Sequence, residues 1–403
     1  MPTLPPRVVA ILPRFGPSAW ITVIKPLVRL HEKGLIRARV TLESLASPGD
    51  VDRADLIVFS RNVRRDRAHA LQAAVERGVP TLYDLDDNFF ELPPDSDAGK
   101  VCAQPEHLAM LHDYLAAASL VRVYSRPLLA HAARFNDSVE MVNACVDLSL
   151  VGDFGGVRAV PIKLVYATSR FTDAMGQIFV PALKRLLEEV GPRVEAHFWG
   201  PKPPDALRGV VHHAMIHDYD RFLRRFSAAG FQIGLAPLHD DLFHRSKTNT
   251  KFREYGACGI AGVYSNVDIY SDCVQHGETG LLVPNDSDAW YRALRQLVDD
   301  AALRVKIQRQ ARASVEEHYS QEAFEAVFLG QIERLVGGSA PRRTSKIDAP
   351  HVGVPHSKMR RLLQLLPRAV THIRRHGVVR GLNTARWMVS STASLAWLRW
   401  RLR

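Results

Sequence analysis

The sequence predicts an α/β protein of two doubly wound domains facing each other, followed by a basic helical tail. Three observations carry that prediction. Strand-like apolar runs alternate with helical patterns over 8–143, and the alternation restarts at 162 after a connection bearing Gly152, Gly155 and Gly156. A chain of 403 residues is too long for one core and suits two domains of roughly 150–200 residues. The formal charge of +11 belongs to the end of the chain: of 53 basic residues, eleven lie in 351–403, which hold no Asp or Glu. The other 42 balance the 42 acidic residues, so the body is neutral and the basic pI describes the tail.

Taken in order, strands are expected at 8–13, 36–41, 56–60, 80–84, 121–124 and 139–143, with helices near 19–33, 66–77, 105–118 and 127–135. The second series places strands at 162–167, 194–199, 210–216, 233–236 and 260–265, and a last one after Gly280. Its helices fall near 177–190, 219–229, 251–258, 287–300 and 302–318. Such alternation implies parallel sheets covered on both faces, with ligands at the carboxyl ends of the strands. The expected division is a first domain at 1–150, a second at 161–336, a linker at 337–358 and a helical tail at 359–403. The tail ends with Trp397, Leu398, Trp400 and Leu402 among arginines, as a helix in a membrane interface would. A nucleic-acid role is the rival for so basic a segment, but the tryptophans and leucines favour lipid. The bland alternative is that these residues fold back on the body.

With 46% apolar and 24% charged residues the composition is ordinary for a globular protein. Cys102, Cys145, Cys258 and Cys273 are scattered without a C-x-x-C pair, which offers neither a zinc site nor a disulfide framework and suits a reducing compartment. Neither a signal-peptide pattern nor a run of about 18 apolar residues is present, so a cytoplasmic body is expected, with peripheral attachment to the inner membrane face through the tail.

The stretch 247–285 says most about function. Lys251-Phe252-Arg253-Glu254-Tyr255-Gly256-Ala257-Cys258 reads as a helix stopped by Gly259. A buried strand follows, then His276-Gly277-Glu278-Thr279-Gly280-Leu281-Leu282, two glycines bracketing a turn before an apolar strand. This order resembles the nucleotide-sugar half of GT-B glycosyltransferases, in particular the family 4 type, where an E-[YA]-x-A-x-G helix precedes G-x-x-G-x-L-[VL]. The resemblance implies the GT-B fold of two facing Rossmann-like domains, a nucleoside diphosphate sugar as donor, and retention of anomeric configuration. It is strong over 160–320 and weaker before.

Residues enter the expected site one by one. A carboxylate such as Glu254 accepts two hydrogen bonds from a ribose diol, the role the resemblance gives it. Lys247 and Lys251 flank Thr248-Asn249-Thr250, where Asn249 or a neighbouring threonine would cap the next helix and favour a diphosphate. Lys251 matches the basic residue that relatives carry before the E-Y element. Ser169 and Arg170 end the first strand of the second domain, where relatives place a phosphate-binding arginine. Gly277 and Gly280 are expected to hold turn geometry near the nucleotide. One departure stands out: the E-x7-E pair would put a second glutamate at 246, and this chain has Ser246.

In the first domain Tyr83-Asp84-Leu85-Asp86-Asp87 begins at the end of a buried strand, with its carboxylates expected to point into the cleft. Acceptor hydroxyl binding or donor-sugar contact by Asp84, Asp86 and Asp87 is the reading preferred over a divalent ion, and no metal or other cofactor is expected. Gly16, after the first strand, would let an acceptor approach. The expected function is transfer of a hexosyl unit to a saccharide, carried on a lipid and part of a bacterial surface or exopolysaccharide. A sugar-nucleotide 2-epimerase and a catalytically silent GT-B subunit are the rivals.

Overall fold

The computed structural model describes residues 4–94, 96–152, 161–169, 171–338 and 401–402. Runs such as Val8-Val9-Ala10-Ile11-Leu12, wholly buried, form strands because both sheet faces are covered and no polar alternation is needed. The first sheet comprises β1 (Arg7–Leu12), β2 (Arg37–Leu42), β3 (Leu56–Ser60), β4 (Thr81–Asp84), β5 (Leu120–Val123) and β6 (Val139–Met141) in the order β2-β1-β3-β4-β5-β6. The second comprises β7 (Ile162–Ala167), β8 (Val194–Gly200), β9 (Val211–Ala214), β10 (Ile233–Ala236), β11 (Ala261–Ser265) and β12 (Leu281–Val283) in the order β12-β11-β10-β7-β8-β9. Every neighbouring pair is parallel. All twelve expected strands are present, and β9 is shorter than the run 210–216.

Two expectations need correction. The helix expected over 19–33 is not uniform: Trp20–Ile24 forms a π-helical turn before the α-helix Lys25–Glu32. Such turns are frequent at functional sites, and in this one Trp20 Nε1 donates to Asp220 Oδ1 of the second domain at 2.8 Å. The stretch after His318 forms a further helix, Gln321–Val336, capped by Ser320. The expected bounds place it in the second domain, yet its buried face of Phe324, Phe328, Ile332 and Leu335 lies in one cluster with Val8, Leu12, Leu27 and Leu56 of the first. The chain crosses back.

That crossing is held by charge. Lys25 bridges Asp147 at 2.6 Å and Asp220 at 2.8 Å, while Glu325 takes Arg29 at 2.5 Å and Lys33 at 2.6 Å. Inside the first domain Arg122 stacks over the ring of Phe328, 4.2 Å from its centroid.

All four cysteines are free. Among the described residues no helix is long and apolar enough to cross a membrane. Arg170 and nearly all of the expected linker and tail lie outside the described residues. At the very end Arg401 pairs with Glu32 and Leu402 packs on the first-domain core cluster. Leu402 thus rests against protein here.

Candidate active site

The site is built where the carboxyl ends of the two sheets meet. On the second domain the loop after β10 leads through a short helix, Leu242–Arg245, into the helix Thr250–Ala257. Its position is set by a three-cornered bond system that the sequence does not announce. Leu238 N donates to Ser265 Oγ at 2.8 Å, Ser265 Oγ to Asn285 Oδ1 at 2.6 Å, and Asn285 Nδ2 returns to the Leu238 carbonyl at 2.7 Å. Loop, β11 and the end of β12 are thereby one unit.

The helix Thr250–Ala257 stops as expected, with Gly259 left-handed at φ 64°. Gly256 lets this helix lie close to the helix Ala301–His318, since a Cβ there would stand 2.6 Å from Val315. Glu254 is 3% exposed and its Oε2 accepts from Lys251 Nζ at 2.6 Å, one helical turn back. Asn249 occupies the cap position but makes no capping bond; its Oδ1 accepts from Arg253 Nε at 2.9 Å instead. Arg253, almost wholly buried, also donates to the Cys145 carbonyl of the interdomain connection. Sequence reasoning passed over Arg253 as a mere neighbour of Glu254.

The turn Gly277–Gly280 closes with Gly277 N donating to the Gly280 carbonyl at 2.8 Å. Gly280 is packed on Tyr264, and a Cβ would meet that ring at 2.6 Å. Its glycine is explained by this packing, without reference to a ligand. Ser169 is exposed at the end of β7.

On the first domain the three aspartates part company. Asp84 does not face the cleft: it is 0% exposed, and both oxygens are occupied. Oδ1 accepts from Arg122 Nε at 2.7 Å and Tyr124 Oη at 2.5 Å, Oδ2 from Thr22 Oγ1 at 2.9 Å and Ser60 Oγ at 3.2 Å. A carboxylate so saturated is a core anchor, which corrects its placement on the acceptor side. Asp86 and Asp87 do lie at the cleft, both gripped by Arg61, which sequence reasoning missed. Arg61 Nη2 reaches Asp86 Oδ2 at 2.6 Å, Asp87 Oδ2 at 2.9 Å and Ser18 Oγ at 3.0 Å. Its backbone is left-handed at φ 60°, a conformation that costs a non-glycine residue on the order of 1–2 kcal/mol and persists where surrounding bonds over-determine it. The two Asp carboxylates therefore share one guanidinium, which balances one of their two charges. Gly16 opens the helix Pro17–Ala19 in extended conformation, and a Cβ would meet nothing within 4 Å.

The domains touch here. Asp87 Oδ1 lies 3.4 Å from Lys247 Nζ, which also sits 3.9 Å over the Phe243 ring. Next to it Asn88 Nδ2 donates to Ser246 Oγ at 3.3 Å, and Ser125 Oγ donates to the Ser246 carbonyl at 2.9 Å. Ser246 is fully buried, so the position where the resembling motif carries a glutamate is here an interdomain contact. Among the described residues no group of three or more His, Cys, Asp or Glu is placed to hold a metal ion. His197, on β8, lies with its Nδ1 2.9 Å from His213 Nε2 on β9 and its Nε2 2.6 Å from Glu195.

A further carboxyl, unmarked in the sequence, follows β2. Glu43 is 5% exposed, and Asn62 Nδ2 donates to its Oε2 at 2.8 Å. Burial raises its pKa from 4.5 to about 7, against the pull of Asn62, Arg64 and Arg67, with Asp66 pushing the same way as burial. The folded value lies above the unfolded one, so the protonated acid stabilises the fold. That contribution is whole below pH 4.5 and is lost as pH rises through 7. Unfolding by urea at pH 5 and pH 8 should show a fall on the order of 3 kcal/mol attributable to this group, absent in Glu43→Gln. An identical pH slope in the variant rules the assignment out.

Residues 163–300 match the family described as glycosyl transferases group 1. Among solved structures the fold is similar to sucrose-phosphate synthase from Thermosynechococcus elongatus, with TM-score 0.62 and 14% identity over 83% of this chain and 100% of that one. It is also similar to HepE from Anabaena in complex with UDP-glucose, at TM-score 0.57 and 15% identity over 81% and 99%. A putative UDP-N-acetylglucosamine 2-epimerase from Listeria monocytogenes follows at TM-score 0.54 and 11% identity over 84% and 98%. No curated protein matches the chain in sequence. At such identities the structural likeness is one of fold. Fold and family match define the class: this is a glycosyltransferase of the GT-B fold. The match to glycosyl transferases group 1 lies within its second domain.

Proposed function

We propose that the protein transfers a hexosyl unit from a nucleoside diphosphate sugar to a saccharide acceptor, retaining anomeric configuration. The observation that carries this reading is the placement of Glu254, Lys251 and Lys247 on one helix and its lead-in, opposite Asp86 and Asp87 across the cleft. Glu254 would bind the ribose diol. Lys247 and Lys251 would neutralise the diphosphate as it leaves, a charge that grows in the transition state and is stabilised most by groups already in place. Asp86 and Asp87 would orient the acceptor hydroxyl, whose proton passes to the departing phosphate oxygen in the retaining scheme that the family 4 resemblance implies. The complexes of HepE with UDP and UDP-glucose support a uridine donor as the first to try. The acceptor in this reading is lipid-linked, assembled on the cytoplasmic membrane face, with the basic tail holding the enzyme to anionic lipid.

A thermal-shift panel of UDP-glucose, GDP-mannose and ADP-glucose tests the donor. The right one at about 100 times its dissociation constant should add about 2.7 kcal/mol of stability. No shift with any nucleoside diphosphate sugar would count against a transferase. Product analysis separates transfer from epimerisation, since an epimerase converts its nucleotide sugar with no acceptor present. Sedimentation with anionic vesicles, with and without residues 351–403, tests the tail; equal, negligible binding by both forms rejects the membrane arm.

A further inference from the structure

The cleft cations are each engaged by a carboxylate of the protein, and they are engaged differently. Lys251 is tied to Glu254 within its own domain at 2.6 Å. Lys247 instead reaches across to Asp87, at 3.4 Å, longer than the roughly 2.7–2.9 Å of a strong charge-assisted bond. Both partners are partly exposed, at 26% and 19% of their side-chain surface, and so open to an incoming ligand. Each also has a second support on its own side. Lys247 lies over the Phe243 ring, and Asp87 Oδ2 is held at 2.9 Å by Arg61. The pair can separate without either side chain losing its place.

We propose that the Asp87–Lys247 pair is an interdomain latch that a donor's diphosphate opens by taking Lys247, leaving Asp87 in position for an acceptor hydroxyl. A diphosphate carries more charge than one carboxylate and outcompetes it for the same ammonium. Donor therefore binds first and prepares the acceptor side, and without donor Asp87 is masked. This rests on the donor-site reading of Lys247 given above and adds the order of events to it.

The test is calorimetric titration with UDP of the full chain, wild type, D87N, K247M and the double variant, in low salt. Removing the competing carboxylate should tighten UDP binding in D87N about three- to tenfold, as expected for release of a partly exposed ion pair. In the K247M background D87N should change nothing, because the cation it frees is gone. Unchanged or weaker UDP binding by D87N overturns the latch. So does an undiminished gain in the K247M background, which would mean plain repulsion of the diphosphate by Asp87. Where K247M binds too weakly for calorimetry, thermal shift at millimolar UDP compares K247M with the double variant, so that the double variant still decides. A wild-type protein that binds none of UDP, GDP or ADP overturns the donor-site reading itself, a failure separable from that of the latch.

Discussion

Glu254→Gln should lower affinity for the nucleoside diphosphate sugar by about one to two orders of magnitude while leaving the melting temperature nearly unchanged. The substitution keeps size and shape but removes the charge that strengthens bonds to a diol, worth roughly 1.5–3 kcal/mol. Glu254 is nearly buried, so the loss is little screened by water. Lys251 loses its partner, yet with 23% of its side chain exposed it can turn to solvent, and folding suffers little. Calorimetry with the donor identified by the thermal-shift panel, beside a thermal melt, checks both halves. An unchanged dissociation constant would remove Glu254 from the site; a collapsed melt would make it a structural residue.

Asp84→Ala should destabilise the first domain by about 3–5 kcal/mol, the range for breaking a buried ion pair by removing one partner. Arg122 is 0% exposed and would keep its charge with no counter-charge at Asp84, while the Thr22, Ser60 and Tyr124 hydroxyls lose an acceptor. The damage should spread to the crossing helix Gln321–Val336, because Arg122 stacks on Phe328 and its Nη1 lies 3.3 Å from Gln331 Oε1. Hydrogen exchange resolved by segment reads this directly: faster exchange in both β4 and 321–336 is expected. A loss below about 1 kcal/mol, with exchange unchanged in that helix, would show the network to be dispensable.

These two carboxylates illustrate what was legible in advance. Glu254 stands in a local pattern, a helix of fixed length with a glycine stop and a glycine turn beyond it. Local spacing of that kind survives folding, and the residue lies on the helix that the pattern describes. Asp84, Asp86 and Asp87 are adjacent in sequence and chemically alike, and nothing local separates them. Asp84 belongs to the last strand position, between covered faces, whereas Asp86 and Asp87 lie past the strand end and meet Arg61. The helix Gln321–Val336 carried a signal that was not used, its apolar residues at 324, 328, 332 and 335 having helical period. Which domain that face would cover was not in the period.

The sequence by itself determined the alternation of strands and helices, the balance of charge between body and tail, and the glycosyltransferase-like order of motifs in 247–285. All of these follow from periodicity, composition or short-range spacing, which neighbours along the chain decide. Only the tertiary structure decided that the last helix returns to the first domain, that Asp84 is a core anchor, that Ser246 joins the domains, and that Arg61 and Lys247 meet the aspartates. Each of these is a pairing between residues far apart in the chain, 158 positions between Asn88 and Ser246 and 160 between Asp87 and Lys247. The energy of a buried charge or an ion pair depends on what burial brings beside it. That is a property of the packed sheets, and no window along the chain contains it.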